Sequence, residues 1–418
     1  MTVLSTSLLA ILLVSPQDDF HSLFVKGLKA LNDRDLPAAQ TSLLAASRLQ
    51  PSNPRVQVAL AQTYWRLRKT ALAAAAAQRA ERLGVDDPVT LRALATFYSE
   101  ERNFARAGDI EARCAMKDRQ DQAAIARGMI DYLQAHQPRK AIALALAVSG
   151  WEERADIRNL LGKAYEADGQ ILKTLPELQA AIRLSPDDES YWFDLMQTLL
   201  NHYNFEAASQ VGEESRKGFP GSAQIALATG VAYYGQSRSS AAVEEFLDSI
   251  ALDPANEQPY FFLSRLLNEA HDQLPAIAQR FTEYEATHPE SYLGWFLHAK
   301  VLIAEGNEPE PAESLLKKSI SLDGKYWESH YLLGILLTNR SALVDAEREF
   351  RRSTELNPRD PATHYRLFRA LAALGKTQEA EAELALQRKV SAEYQADFNR
   401  KTGEIKRLEF KRSEAPGK

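Results

Sequence analysis

Proline and glycine recur along this chain at a spacing of 34 residues, and that period limits the folds open to it more than any other feature. Pro186, Pro220 and Pro254 stand 34 residues apart, Pro289 follows 35 later, and Pro358 a further 69. Pro51 precedes Pro186 by 135 residues, one short of four periods. Four glycines keep the same register: Gly27, Gly162, Gly230 and Gly334 lie 24 residues before Pro51, Pro186, Pro254 and Pro358. A period of this size marks stacked supersecondary units, each burying its apolar face against its neighbours, rather than one core enclosing 418 residues.

Between glycine and proline the apolar positions are fixed. A small residue falls 12 after the glycine, at Ala39, Thr174, Ala242 and Ala346, and a large one 16 after it, at Leu43, Leu178, Phe246 and Phe350. Glycine inside a helix costs roughly 1 kcal/mol relative to alanine. Its presence in the run "YLLGILL", from Tyr331 to Leu337, therefore implies a close helix crossing with no room for a side chain. The expected packing sets Gly334 against Ala346, with Leu333 and Leu337 beside Phe350. The chain reverses near Arg340 and Ser341, and Pro358 ends the second helix.

These offsets resemble the tetratricopeptide repeat, in which L-G-x-x-Y is followed by A-x-x-x-F and then P. The resemblance covers about nine tenths of the chain. It implies an all-α, right-handed superhelical solenoid of about eleven helix-turn-helix repeats with a C-terminal capping helix. Repeats are expected to begin at Phe20, Pro54, Pro88, Gln122, Ala155, Glu189, Ala223, Glu257, Tyr292, Trp327 and Pro361. The fourth, "AIARGMIDYLQAHQPRKAIALALAVSG", is irregularly spaced and separates an N-terminal group (20–154) from a C-terminal group (155–389). In the remaining 390–418, Val390, Tyr394 and Phe398 recur every four residues, predicting a helix whose stripe faces the last repeat. From Asn399 to Lys418 seven Lys or Arg stand against three Asp or Glu, reading as a solvated basic tail, with peripheral contact to anionic lipid as the alternative.

Residues 1–16 form a separate segment. Its apolar stretch, Val3 to Val14, is too short to span a bilayer but suits a signal-peptide core. No Lys or Arg precedes Lys26 and no A-x-A-like cleavage site follows. A periplasmic or secreted location is expected on this basis; the alternatives are a retained N-terminal membrane anchor or a cytoplasmic protein with a hydrophobic cap.

Several function classes are disfavoured. A formal charge of -6 argues against a principal role in binding nucleic acid. Cys114 is the single cysteine, so an intramolecular disulfide, a CxxC motif and a thiolate zinc site are excluded. No hydrolase elbow, H-E-x-x-H, phosphate loop or dinucleotide fingerprint occurs, and neither enzymatic activity nor a cofactor or metal is expected. His298, His330 and His364 fall in equivalent helices of successive repeats but lack carboxylates at ligand spacing, which favours packing and hydrogen bonding. Paired acids such as Asp86-Asp87 and Asp187-Asp188 suit helix caps.

The resemblance further implies that the second, fifth, ninth and twelfth positions of each first helix line a concave face. The fifth position here supplies Phe193, Phe261, Phe296, Tyr331 and Tyr365, the last four unbroken; the ninth supplies Arg265, Lys300 and Arg369, and Asn268 and Asn339 follow. Rings, cations and amides in one groove suit an extended peptide, though the rings also suit packing between repeats. The leading expectation is a non-enzymatic scaffold that binds a protein or extended peptide in this groove, in the cell envelope. The alternative is a structural subunit of an envelope or secretion assembly that uses its convex face or ends. The spacing leaves the oligomeric state open.

Overall fold

The computed structural model describes residues 16–118, 121–306 and 309–405, with side chains for all of these except 16–18, 122 and 397–405. Among the described residues 22 α-helices pair in chain order into eleven hairpins, with no strand. Nine first helices begin at the expected residue; the first begins at Pro16 and the eighth at Gln258. The segment expected to be a signal sequence lies outside the described residues except for Pro16, and the basic tail does so beyond Ile405.

A regular hairpin joins a 13-residue to a 14-residue helix, as in Trp327–Asn339 with Leu343–Leu356. Two hairpins depart from this. The second helix of the fourth, Pro138–Leu146, has nine residues and is followed by a 3-10 turn at Trp151–Glu153. The first helix of the eighth, Gln258–Leu266, also has nine. The helices group into two compact units, Met1–Pro186 and Asp187–Lys418.

Within each unit the periodic residues form the core. Ala39, Thr174, Ala242 and Ala346 are buried, as are Leu43, Leu178, Phe246 and Phe350. Burying one Leu or Phe side chain is worth about 1.5–3 kcal/mol, so the repeated large residue is a principal source of hairpin stability. The glycine's partner differs from the expected one. A Cβ on Gly334 would meet the Phe350 ring at 2.6 Å, and one on Gly162 would meet Leu178 at 2.7 Å. The large residue 16 positions on, not the small one 12 on, closes over the missing side chain.

Each helix-to-helix turn except that of the eighth hairpin places one residue, always the fifteenth of its repeat, in the left-handed region. Gly169, Gly306 and Gly375 serve there, but so do Arg34, Arg68, Arg102, His136, Tyr203, Ser237 and Ser341. A side chain in this conformation costs on the order of 1 kcal/mol, offset by the bonds the turn completes. At Ser341, for example, its N–H donates to Thr338 O at 3.0 Å and the next N–H donates to Leu337 O at 2.9 Å.

Turns between hairpins are fastened differently in each unit. In the first unit, ion pairs bridge residues about one period apart: Arg55 to Asp87, Arg92 to Asp121 and Arg139 to Asp168. Asp87 also caps Pro88–Glu100 by accepting from Thr90 N, as its place in an acid pair implies, and Asp188 does the same for Glu189–Asn201. In the second unit the fourth residue of a first helix donates to the carbonyl six residues earlier. Tyr260 Oη donates to Pro254 O (3.3 Å) and Trp295 Nε1 to Pro289 O (2.9 Å). His330 Nε2 lies 3.3 Å from Gly324 O and His364 Nε2 lies 3.0 Å from Pro358 O.

The three histidines do not join one another. The spacing offered no carboxylate near them, but the fold brings one to each: Glu285 to His298, Glu349 to His330 and Glu383 to His364, with N–O distances of 2.6, 2.7 and 2.6 Å. The last helix, Thr377–Ile405, continues the eleventh hairpin without a break for 29 residues. Val390 is half-buried on it, but Tyr394 is 72% exposed, so that ring does not cover the last repeat as its spacing suggested; the Phe398 side chain lies outside the described residues.

Candidate functional site

Three of the expected site residues meet in a cleft of the second unit. Arg265, Lys300 and Tyr331 come from the first helices of the eighth, ninth and tenth hairpins and line a space of about 590 Å³. Trp327, Glu328, Arg359, Asp360 and Tyr394 complete most of its wall. The stacking explains why residues 35 apart converge, because each hairpin repeats the orientation of the last.

Lys300 sits at the base of this cleft and is poorly satisfied. Its Nζ reaches Ser264 Oγ only at 3.5 Å and lies 5.6 Å from the centre of the Phe296 ring. Burial pulls the ammonium below the usual lysine range, while nearby Glu328 opposes that shift. Glu328 is shared with Arg265, whose Nη2 stands 3.5 Å away. Behind them Tyr326 packs among Phe261, Tyr292 and Phe296, with ring centroids at 6.2, 4.8 and 4.9 Å, and burial pushes its phenol strongly up.

The aromatic run expected along the fifth position is divided by this packing. Phe296 is 0% exposed, set edge-on to Tyr326, and belongs to the core rather than to a surface that an occupant reaches. The reason is that its helix, Tyr292–Ala304, is apolar on nearly every face and is enclosed on both sides. Phe261 and Phe193 are half-buried, Tyr331 packs beside Trp327 and Phe350, and Tyr365 is 44% exposed beside Phe368. Asn268 does not stand on a first helix at all, because the shortened Gln258–Leu266 ends before it. Asn339 and Arg369 are exposed but do not line the cleft.

Sequence reasoning missed Trp327, Glu328 and Asp360. Glu328 holds the second position of its repeat, which the family pattern already assigns to the concave side. Asp360 is the cap of Pro361–Ala373, a structural role that hid its place at the cleft rim. No cluster of three or more metal-ligating side chains occurs among the described residues.

Paired helices of constant length, stacked in register with a lined cleft, define an α-helical repeat protein built for presenting surface. Residues 24–88 match the family model described as tetratricopeptide repeat. The same crossing of glycine with a large residue recurs at Gly162, Gly230 and Gly334, and the chain carries tetratricopeptide repeats. No curated protein matches it in sequence. Among solved structures it is similar to yeast Tom70 (15% identity, covering 94% of this chain and 98% of that one, TM-score 0.44). It is also similar to the C-terminal part of a TPR repeat-containing protein from Cytophaga hutchinsonii (17% identity, 65% and 98% covered, TM-score 0.42). A third similar structure is the APC/C hetero-tetramer Cut9-Hcn1 (15% identity, 96% and 94% covered, TM-score 0.40).

Proposed function

We propose that this repeat protein is a non-enzymatic interaction scaffold whose second-unit cleft holds an extended peptide of a partner protein. The observation that carries the reading is Lys300, a largely buried cation without a carboxylate of its own, facing an open cleft beside Arg265. A buried charge is stabilised by a partner of opposite sign, and a carboxylate on the peptide supplies one. Trp327 and Tyr331 offer apolar faces on either side, the residue types that dominate binding hot spots. An envelope location is part of the proposal and is supported by the apolar Val3–Val14 segment.

The test compares affinity capture by the full chain with capture by a Lys300→Met, Tyr331→Ala variant, with captured proteins identified by mass spectrometry. Methionine keeps the length and apolar stem of Lys300, so the fold is retained as judged by helical circular dichroism. A partner lost only from the variant supports the cleft. Identical partners from both chains move the binding surface elsewhere on the protein.

A further inference from the structure

The first three turns of the first unit carry arginine where the backbone favours glycine. Arg34, Arg68 and Arg102 have φ of 62°, 61° and 61°, one per hairpin, whereas glycine fills the same position at Gly169, Gly306 and Gly375. All three arginines are exposed, and none has a hydrogen bond or ion pair among the described residues. Other arginines of the unit, Arg55, Arg92, Arg113 and Arg127 among them, are each bound to a carboxylate. Three unpaired guanidiniums are thus repeated at one edge, in a conformation an L side chain adopts only at a cost.

A cleft of about 480 Å³ opens at the same edge, lined by Arg34, Leu36, Trp65, Arg66, Arg68 and Glu100, side chains of three successive hairpins. Trp65 is half-buried there, and Arg66 donates to Leu31 O at 3.1 Å. The charge balance of the chain points the same way. Residues 1–186 hold 24 Lys or Arg against 20 Asp or Glu, and residues 187–418 hold 26 against 36.

We propose that this turn edge binds an acidic, extended segment of a partner protein whose carboxylates recur at every third residue. Neighbouring helices pack about 8–10 Å apart, and an extended chain advances about 3.3 Å per residue, so three residues span one hairpin. Each carboxylate then meets one guanidinium, and an apolar side chain between them rests on Trp65. Exposed Asp33, Asp35 and Glu100 alternate with the arginines, which suits separate, spaced carboxylates and opposes a continuous row of phosphates. This surface is independent of the Lys300 cleft.

Fluorescence anisotropy on the full chain provides the test, with three labelled probes: a short peptide bearing glutamate at every third position, one of the same composition with its glutamates contiguous, and a single-stranded oligonucleotide. The spaced peptide is expected to bind most tightly and to weaken as salt rises. Arg34→Gly, Arg68→Gly and Arg102→Gly together should weaken it about tenfold or more, as the loss of three exposed charge pairs implies. Glycine relaxes the turns, so the thermal midpoint of this variant should hold or rise. Should it fall, Arg→Gln at the three positions, which keeps a side chain at each turn, carries the same expectation. Undiminished binding by the variants, equal binding of both peptides, or tighter binding of the oligonucleotide each overturns the proposal.

Discussion

In the tenth hairpin the ring of Phe350 occupies the space that a side chain on Gly334 would need: a Cβ there would stand 2.6 Å from Cε1. Five of the largest fully buried side chains are phenylalanines, and Phe350, at 1% exposure, has no solvent-facing rotamer to retreat to. The missing methyl therefore sets the distance between the two helices.

Gly334→Ala should destabilise the chain. Overpacking costs about 1–3 kcal/mol, and the gain in helix propensity returns roughly 1 of it. A net loss on the order of 1–2 kcal/mol follows, read as a lower urea midpoint in far-ultraviolet circular dichroism. At Gly27, where the obstructing atoms belong to the Leu43 side chain, the same change should cost less, because leucine can change rotamer and a ring cannot. Equal losses at the two sites would mean that the ring edge does not set the spacing.

Acid should unfasten the second and third hairpins through Asp87. The Arg55 guanidinium, with Thr90, holds the Asp87 carboxyl down at about 2, against an unfolded value near ~3.9. A depressed folded value places the stabilisation above the unfolded one and removes it as pH falls toward 2. The difference in thermal midpoint between the wild type and Asp87→Ala should stay constant from neutral pH to about 4 and then shrink. A difference that persists undiminished to pH near 2 would show that the carboxylate charge does not fasten this turn.

Cys114 should be inert in the folded chain. Burial, with Glu111 and Asp121 nearby, pushes its thiol up to about 11, and the side chain is 6% exposed. Reaction with an aromatic disulfide reagent at mildly alkaline pH should be slower than in urea by on the order of a hundredfold. A comparable rate in both conditions would place the third hairpin among readily opening segments.

Much of this architecture was legible because it rests on contacts within one period. The glycine, the small residue and the large residue lie on two adjacent helices, so their offsets state the packing directly, and the helix starts at Pro54, Pro88, Gln122 and Trp327 follow from it. The cleft was only partly legible. Whether a fifth-position ring faces an occupant or the core depends on its neighbours three-dimensionally: Phe296 is enclosed because Tyr326 folds over it, and Tyr365 stays open because no further first helix follows. The His–Glu pairs were missed for a related reason. Their partners stand 13 or 19 residues away on another helix, outside any ligand spacing along one helix.

The nine-residue helices Pro138–Leu146 and Gln258–Leu266 have a mechanical consequence. A hairpin stack bears load from neighbour to neighbour, so a chain drawn out by its ends gives way where the fewest turns hold. One shortened hairpin lies in each unit, and each would lengthen by its own contour while the hairpins around it stay folded. Stretching such a molecule should yield two early, small extensions before the regular hairpins release, making it a tether with two weak links.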